Sequence, residues 1–328
     1  MQESDIAMNY KKILFPVTFC ILLLCESSCQ QSQQTDFNTY GHKATADTLR
    51  TAETDSPDTS GLLLKSLPER KPDVQVQDST SQILLGNPSG ATSSTANADN
   101  YLIDHRYYVE SYSRSKGAPN WVSWHIGAED LGKTERLNNF RPDTSLPEGW
   151  YEADNTSYKG SGFDKGHNCP SGDRTSSTAA NSSTFLMDNM IPQAPNNNQH
   201  TWEHLESYCR TQVKKGNEVY VIMGSYGSGG TGKNGYAQTI DNGNIKVPSN
   251  IWKVVVVIPE GSNDLQRIND NTRIIAIDTP NDNDITPNWM NYLCTVRDIE
   301  KATGYDLLSA LPVALQNRVE LRKFKGGN

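Results

Sequence analysis

Cysteine is scarce in this sequence, which has six cysteines in 328 residues. Three of the six lie within the first 29 residues. The other three are Cys169, Cys209 and Cys294, and an odd number allows at most one disulfide among them. The scarcity excludes a small fold held together by a disulfide framework.

Positive charge is also in short supply. The chain has 30 lysines and arginines against 38 aspartates and glutamates, a net charge of -8. This excludes a domain that binds polyanions through its bulk charge. Binding of a polyanion would depend on a bound cation and on a local patch, for which residues 210–215 and 318–325 are the candidates.

Long hydrophobic runs are absent, since the apolar stretch Ile13–Cys25 is shorter than the ~20 residues that span a bilayer. With Lys11 and Lys12 before it, this stretch is typical of an export signal. Cys29 follows small residues at its end and resembles a bacterial lipoprotein cysteine, although Glu26 departs from that pattern. We therefore expect residues 1–29 to be a signal peptide. The protein would be either a lipoprotein of the cell envelope, anchored in the outer membrane or at the cell surface through Cys29, or a secreted protein.

The remainder divides by composition into a polar segment and a domain. Residues 30–98 are rich in Ser, Thr, Gln, Asp and Pro, have no sustained periodicity, and are interpreted as a flexible linker. Residues 99–328 contain short β-forming or apolar runs, which predict strands at 107–112, 121–126, 218–224, 252–259 and 273–278. Helical spacing predicts one helix over 200–215 and another from Pro287 to about Lys301, ending near Gly304. The sequence thus predicts one α+β domain.

The Gly-rich stretch at 226–235 invites comparison with a phosphate-binding loop. That loop requires Ser or Thr after its Gly-Lys pair, whereas Asn234 follows Gly232 and Lys233. We interpret the stretch as a hairpin-type loop.

Two segments contain the side chains that suggest chemistry. The first is Asp164-Lys165-Gly166-His167, and the second runs from Asn189 to Glu206. A neutral histidine can act as a general base, and a divalent ion can act as a Lewis acid. Magnesium keeps several waters and needs only one or two protein ligands, so a single Asn oxygen is adequate. Together these groups favour hydrolysis of a phosphodiester.

Helical spacing relates three residues of the second segment. Asn198, Trp202 and Glu206 are four residues apart and would line adjacent turns of a helix. Asn198 and Glu206 can then face one site, while Trp202 and Leu205 anchor the helix.

These segments resemble a known family. The stretch FDKGHNCPSGDRT resembles the D-R-G-H signature of the DNA/RNA non-specific endonucleases, the ββα-metal nucleases. The segment that begins at Asn189 is similar to that family's N-x-x-P-Q…N-x-x-x-W-x-x-L-E helix. The resemblance covers residues 101–308 and implies the ββα-metal endonuclease fold, an α+β fold with a central antiparallel sheet and flanking helices. It also implies an endonuclease that cleaves DNA and RNA using Mg²⁺, for which Mn²⁺ can substitute.

The resemblance further implies a role for each motif residue. His167 would be the general base, and Asn198 would be the direct magnesium ligand. Glu206 would hydrogen-bond a metal-bound water, and Asn189 would brace the site through hydrogen bonds. Asp164 would fix the local turn.

The motif departs from the family at Lys165, where arginine is usual. Lysine keeps the charge but lacks the planar fork that binds phosphate through two hydrogen bonds. An upstream arginine would clamp the phosphate, with Arg136 as the candidate and Arg141 as its rival. Arg174 would either bind substrate or act as a structural salt-bridge partner.

Two other functions compete with this interpretation. His200, Glu203 and His204 match the H-x-x-E-H pattern of a zinc-dependent protease, in which the histidines bind zinc and the glutamate is the base. Alternatively, Lys165 marks a decayed site in a lipoprotein that binds nucleic acid without cleaving it. The protease reading leaves Asp164–His167 unexplained, and the joint presence of His167, Asn198 and Glu206 argues against decay.

Overall fold

The computed structural model describes residues 82–326. The predicted signal peptide, Cys29 and residues 30–81 of the predicted linker lie outside the described residues. In chain order, the strands of the described part are Tyr101–Asp104 (β1), Val109–Ser113 (β2), Ala118–Ile126 (β3), Asp164–His167 (β4), Met190–Gln193 (β5), Asn217–Tyr226 (β6), Gly230–Gly232 (β7), Gly235–Ala237 (β8), Thr239–Ile240 (β9), Ile245–Lys246 (β10), Asn250–Pro259 (β11), Arg273–Pro280 (β12) and Leu293–Cys294 (β13).

Seven of these strands form one antiparallel sheet in the order β1-β2-β3-β6-β11-β12-β13. The other six form three separate antiparallel pairs, β4 with β5, β7 with β8, and β9 with β10. The α-helices are Thr178–Ser183 (α1), Glu203–Lys214 (α2), Asp264–Arg267 (α3), Val296–Thr303 (α4) and Val313–Val319 (α5), and a π-helical turn, Asn197–Trp202, leads directly into α2. Short 3-10 turns lie at Thr95–Asn97, Ala128–Asp130, Ser171–Asp173, Met187–Asn189, Asp241–Gly243 and Trp289–Tyr292.

The large sheet is covered on both faces. Val254 and Val256 of β11 pack in one hydrophobic core with Ile299 of α4 and Val319 of α5. Their neighbour Val255 faces the other way, into a second core with residues of α2. Because successive side chains of a strand point to opposite faces, double coverage explains why β11 has an almost uninterrupted apolar sequence.

The predicted strands are present, and the fold is the expected α+β arrangement of a central antiparallel sheet with flanking helices. The Gly-rich stretch forms the β7–β8 hairpin, in agreement with its interpretation as a hairpin-type loop.

The second predicted helix begins later than Pro287. Thr295 caps α4, with its side chain accepting a hydrogen bond from the Asp298 amide, and Asp298 bonds back to the Thr295 amide. Gly304 ends the helix in the left-handed conformation (φ 77°), as the sequence indicates. Residues 289–294 form a 3-10 turn and strand β13 instead of the helix start, because the capping box at Thr295 supplies a stronger start signal.

The domain also begins earlier than residue 99. Leu85 is 2% exposed and belongs to the core on the α4 side of the sheet. Gln82 is fully buried, and its side-chain oxygen accepts hydrogen bonds from the His125 amide at 2.9 Å and from Arg174 Nη2 at 3.0 Å. Residues 82–98 therefore belong to the fold and not to the linker. The composition of this segment is polar, so its few core residues could not be recognised from the sequence.

The three cysteines of the described domain form no disulfide. Cys169 and Cys209 are buried and Cys294 is partly buried. Within residues 82–326, no helix combines the length and apolar character that a membrane span requires.

Candidate active site

The pairing of β4 with β5 brings the two sequence motifs together. His167 lies opposite Met190, and Asp164 lies opposite Gln193. Gly166 is required by this close approach, since a Cβ atom there would lie 2.3 Å from Oε1 of Gln193. Strands β4 and β5 and helix α2, which follows them in the chain, carry the side chains of the site.

His167 sits in an aromatic setting with a free ring nitrogen. Phe140 and Phe185 contact its ring edge-to-face, at centroid distances of 5.5 and 5.1 Å. Its Nε2 is enclosed and has no hydrogen-bond partner. Burial, followed by the positive charge of Arg136, lowers the pKa of His167 to about 3, so the imidazole is neutral and able to accept a proton.

Asn198 is oriented by Asp164. Its Nδ2 donates to Oδ2 of Asp164 at 2.9 Å, and Gln199 Nε2 donates to the same oxygen at 2.8 Å. The amide nitrogen is thereby fixed, and the amide oxygen is the atom left to bind a cation. Asp164 lies on β4, so its role is to hold Asn198, and the expectation that it fixes a local turn is wrong.

Glu206 lies on α2 and pairs with a buried lysine of the sheet. Lys253 Nζ on β11 donates to its Oε1 at 2.9 Å, and Arg210 Nη1 lies 4.0 Å from its Oε2. Burial raises the pKa of Glu206, while the Lys253 charge opposes that shift. Trp202 and Leu205 are both buried beside it and anchor the helix.

The entry to α2 differs from the expected continuous α-helix. Asn197–Trp202 is a π-helical turn, and regular α-helix begins at Glu203. Asn197 is buried, and its Nδ2 donates to Thr279 Oγ1 and to the Pro280 carbonyl. The wider turn follows from this anchoring of the helix start to β12, which four-residue spacing could not reveal.

Arg136 interacts electrostatically with both the histidine and the carboxylate. Its charge lowers the pKa of His167, and the charge of Glu206 acts on Arg136 in turn. Its Nη1 donates to Ser171 Oγ at 2.6 Å, and its guanidinium stacks 4.9 Å from the Phe185 ring centroid. The rival Arg141 instead donates to the Ser182 carbonyl and supports the local backbone.

Lys165 is near the same aromatic group. Its Nζ lies 4.5 Å from the Phe140 ring centroid and donates to Asn155 Oδ1 at 2.9 Å. Its charge also contributes to lowering the pKa of His167. Lys165 and His167 thus both contact the Phe140 ring.

Asn189 braces the loop after His167. Its Oδ1 accepts from the Cys169 amide, and its Nδ2 donates to the carbonyls of Cys169 and Thr184, each at 2.9 Å. All side-chain hydrogen-bonding atoms of this buried amide are bonded to backbone groups, so Asn189 links the loop after His167 to the Thr184 carbonyl.

Arg174 does not reach the site surface, and the expectation that it binds substrate is wrong. It is fully buried, and its guanidinium donates to the carbonyls of Tyr107, Asp173 and His125. Asp130 lies 3.5 Å from its Nη1. A buried arginine with these partners links segments of the core. Arg174 therefore has the structural role, the second of its two predicted alternatives.

The zinc-protease pattern does not form a ligand cluster. His204 Nδ1 is hydrogen-bonded to the Pro287 carbonyl, and the side chains of Glu203 and His204 are each about half exposed. Two groups of three or more His, Cys, Asp or Glu side chains converge closely enough for a metal within residues 82–326, and neither contains His200 or His204.

Lys253 contacts Glu206 at the site, and no sequence motif identifies it. It is 2% exposed, and its Nζ also lies 4.9 Å from the Trp202 ring centroid. The available signal was a single charged residue inside the apolar run of β11, because a buried lysine needs a partner.

Comparison with known proteins gives the same assignment. The family model described as DNA/RNA non-specific endonuclease matches residues 85–314. The chain belongs to the DNA/RNA non-specific endonuclease family. A nuclease from Nostoc sp. (strain PCC 7120) is 43% identical over 254 residues, covering 77% of this chain and 88% of that protein. Nuclease C1 of Cunninghamella echinulata is 32% identical over 221 residues, covering 65% and 84%.

A solved structure shares the fold of this endonuclease. The structure of the EndoG/EndoGI complex matches with a TM-score of 0.58 at 24% identity, covering 72% of this chain and 93% of the matched chain. The ββα-metal fold predicted from the sequence is therefore confirmed. So is the assignment of the protein as a hydrolase, a metal-dependent endonuclease of nucleic acids.

Proposed function

We propose that the endonuclease cleaves phosphodiester bonds of DNA and RNA with Mg²⁺ at the site formed by β4, β5 and α2, and that His167 is its general base. The observation that carries this proposal is the unpartnered Nε2 of a neutral His167, beside the cationic groups of Arg136 and Lys165. A free ring nitrogen next to positive charge is suited to take a proton from water while a phosphate is bound. A bound phosphate would also raise the pKa of His167 towards neutrality and strengthen it as a base.

The donor atoms of Asn198 and Glu206 fit a hard cation. An amide oxygen fixed through its own Nδ2, together with a carboxylate that can hold a metal-bound water, suits Mg²⁺ and, as a substitute, Mn²⁺. When bound, the ion would neutralise charge on the phosphoryl oxygens and assist departure of the leaving oxygen. Asp164 would keep the amide oriented, and Lys253 would keep the Glu206 carboxylate ionised.

Arg136 and Lys165 are proposed to bind the phosphate. Arg136 has its guanidinium held by Ser171 and the Phe185 ring, so little rotamer freedom is lost when an anion binds. Lys165 provides a second positive charge on the side of Phe140. Both groups would stabilise charge that develops during cleavage.

The protein is proposed to act outside the cytoplasm, with Cys29 either lipidated in the outer membrane or removed with the signal. Support comes from the basic and apolar pattern of residues 11–25. Radiolabelled palmitate supplied to expressing cells should label the wild-type chain and not Cys29→Ser. Unlabelled wild-type protein in the culture medium would identify the secreted form, and protein retained in the cytoplasm would contradict export.

The activity test uses the purified full chain with plasmid DNA and total RNA, in Mg²⁺, in Mn²⁺ and in EDTA. We expect metal-dependent degradation of both substrates. His167→Ala should reduce the rate by about 10²–10⁴-fold through loss of the general base. His204→Ala is the matched control, because it removes an exposed histidine of α2 that belongs to the zinc-protease pattern.

Two outcomes would contradict the proposal. Intact DNA and RNA under every metal condition would indicate a decayed, binding-only site. Loss of activity in His204→Ala with full activity in His167→Ala would point to the helix histidines instead.

A further inference from the structure

A second cluster of ionisable side chains lies away from the nuclease site. His105 in the turn between β1 and β2, Glu110 of β2 and Asp188 before β5 each offer a ligand atom, and these atoms lie within 4.8 Å of one another. His105 Nε2 is 3.0 Å from Asp188 Oδ2 and 3.8 Å from Glu110 Oε1. Three separate segments of the chain therefore meet at one point.

The carboxylate oxygens of this cluster are buried and make no hydrogen bond of regular geometry. The side chains of Glu110 and Asp188 are fully buried, and that of His105 is 8% exposed. Both carboxylate oxygens of Glu110, both of Asp188 and Nε2 of His105 lack a hydrogen bond of regular geometry, although His105 Nε2 lies 3.0 Å from Asp188 Oδ2 and Asp143 also interacts with Asp188. Orphaned carboxylate oxygens are rare in protein interiors because each costs its desolvation energy.

Charge is also unbalanced at this point. Asp143 is a third, largely buried carboxylate beside Asp188, and no arginine or lysine forms an ion pair with Glu110, Asp143 or Asp188 within residues 82–326. A protonated His105 would offset one negative charge. A buried charge that remains unpaired is expensive, so the cluster needs another cation or a proton.

The spacing of the atoms fits coordination of a small divalent ion. Tetrahedral zinc at ~2.0–2.1 Å from nitrogen and oxygen ligands places those ligands about 3.3–3.4 Å apart. The two measured separations, 3.0 and 3.8 Å, lie on either side of that value. One imidazole nitrogen with two carboxylate oxygens is a donor set that Zn²⁺ accepts.

We propose that His105, Glu110 and Asp188 bind a structural divalent ion of the zinc type, separate from the metal used in catalysis. Asp188 directly precedes Asn189, which braces the loop after His167. The ion ties that segment to strand β2 and to the β1–β2 turn. It acts on stability and on the placement of Asn189, not on the substrate.

The competing state is neutralisation by protons alone. Burial and the charge of Asp188 raise the pKa of Glu110, and Glu110 would then carry a proton instead of binding an ion. The two states differ in what Glu110→Gln does. If Glu110 is a ligand, the amide weakens ion binding and lowers stability, whereas if Glu110 is already neutral, the amide has little effect or stabilises the fold.

The test measures metal content and thermal stability of the purified full chain. After extensive dialysis against metal-free buffer without a chelator, which releases loosely held magnesium, elemental analysis should find close to one equivalent of tightly bound transition metal per chain. Glu110→Gln should lose this metal, with affinity reduced by about 10–100-fold or more, and should unfold at a lower temperature. Glu300→Gln is the matched control, because it neutralises a buried carboxylate of α4 outside the cluster and should keep the metal.

A second measurement applies if Glu110→Gln does not fold. Wild-type protein stripped of metal with a strong chelator should gain thermal stability on titration with Zn²⁺. With Co²⁺ it should develop the visible absorption of a tetrahedral site. Wild-type protein that retains no metal, shows no stabilisation by Zn²⁺ and gives no Co²⁺ absorption would overturn the proposal and assign the cluster to protons.

Discussion

At the scale of single residues, the proposed metal ligand depends on the orientation of one amide, that of Asn198. Asp164 accepts hydrogen bonds from Asn198 Nδ2 and Gln199 Nε2. A carboxylate offers acceptors and no donor. That restriction allows one of the two orientations of the Asn198 amide.

Replacement of Asp164 by asparagine should weaken metal activation. The new amide can donate as well as accept, which allows Asn198 to flip and present its nitrogen to the cation. We expect the magnesium concentration for half-maximal activity to rise by about 10–100-fold, with a smaller change in rate at saturating magnesium. Titration of plasmid cleavage with Mg²⁺ measures both quantities. Asp154→Asn is the control, since that carboxylate bonds only within its own turn, and an unchanged magnesium requirement in Asp164→Asn would refute the orienting role.

The lysine in the motif gives a second prediction at this scale. Lys165→Arg should raise kcat/KM severalfold, because a guanidinium can bind phosphate through two hydrogen bonds and can keep the contact with the Phe140 ring. Lys165→Ala should lower kcat/KM by about 10–100-fold through loss of charge near the phosphate. Steady-state cleavage of a short labelled duplex measures both.

Lys214→Arg provides the matched control for this pair, because Lys214 lies at the far end of α2. Equal activity of wild type, Lys165→Arg and Lys165→Ala would show that the site does not use the charge at this position.

Residues whose chemistry follows from local motifs could be identified from the sequence, and residues whose role depends on burial could not. His167, Asn198 and Glu206 are recognisable because their types and spacing belong to one motif pair. The sequence left two roles open for Arg174 because the same motif contains it, and only its burial shows that the guanidinium is structural. Lys253 was missed because its partner Glu206 is 47 residues away in the chain.

At the scale of elements, the contact between α2 and β11 is an ion pair within an apolar interface. Lys253 is almost fully buried, Glu206 is 18% exposed, and the ammonium group lies against the rings of Trp124 and Trp202. Lys253→Met should destabilise the protein by about 3 kcal/mol, because it leaves the Glu206 charge without its partner. The double variant Lys253→Met with Glu206→Gln should recover most of that loss, since no charge is then stranded.

A double-mutant cycle measures the coupling of the pair. It compares the free energy of urea unfolding of the wild type, of Lys253→Met, of Glu206→Gln and of the double variant. Activity should be low in every variant that lacks Glu206, so recovery of stability without recovery of activity separates the two roles of the pair. A double variant as unstable as Lys253→Met would mean that the lysine acts through packing and not through its charge.

The elements themselves were predictable to different degrees. Strands β6, β11 and β12 are evident because both of their faces are buried, which gives continuous apolar runs. The π-helical turn before α2 and the position of α4 were not, because they depend on the contacts of Asn197 with β12 and on the capping box at Thr295. Hydrophobic periodicity is insensitive to such contacts.

At the scale of the whole molecule, residues 82–98 contribute to the core of the domain. Leu85 fills the core beneath α4 and α5, and Gln82 satisfies both Arg174 and the His125 amide. A chain that begins at residue 99 should therefore be less stable than one that begins at residue 82, by at least the ~2–5 kcal/mol typical of a lost core leucine. Thermal unfolding of the two truncated chains measures the difference. Equal melting temperatures would show that residues 82–98 add no stability to the domain.

The pH dependence of stability should have a contribution from Glu320, a buried carboxylate near the end of the described chain. Burial, and then the charge of Glu300, raises its pKa from an ordinary value near 4.5 to about 7. The folded state therefore binds the Glu320 proton more tightly than the unfolded state does. This contribution to stability is fully present below about pH 4.5, decreases as the pH rises, and is lost above about pH 7.

Glu320→Gln removes this titration while keeping an oxygen that can accept from Arg297, which lies 2.9 Å from Glu320 Oε2. The melting temperature of the variant should exceed that of the wild type by several degrees at pH 8, and the difference should shrink towards zero at pH 5 and below. Glu260→Gln, at an exposed position, should show no such trend. A difference between Glu320→Gln and wild type that stays constant from pH 5 to pH 8 would mean that Glu320 remains ionised throughout. In that case its ion pair with Arg297 outweighs the cost of burial.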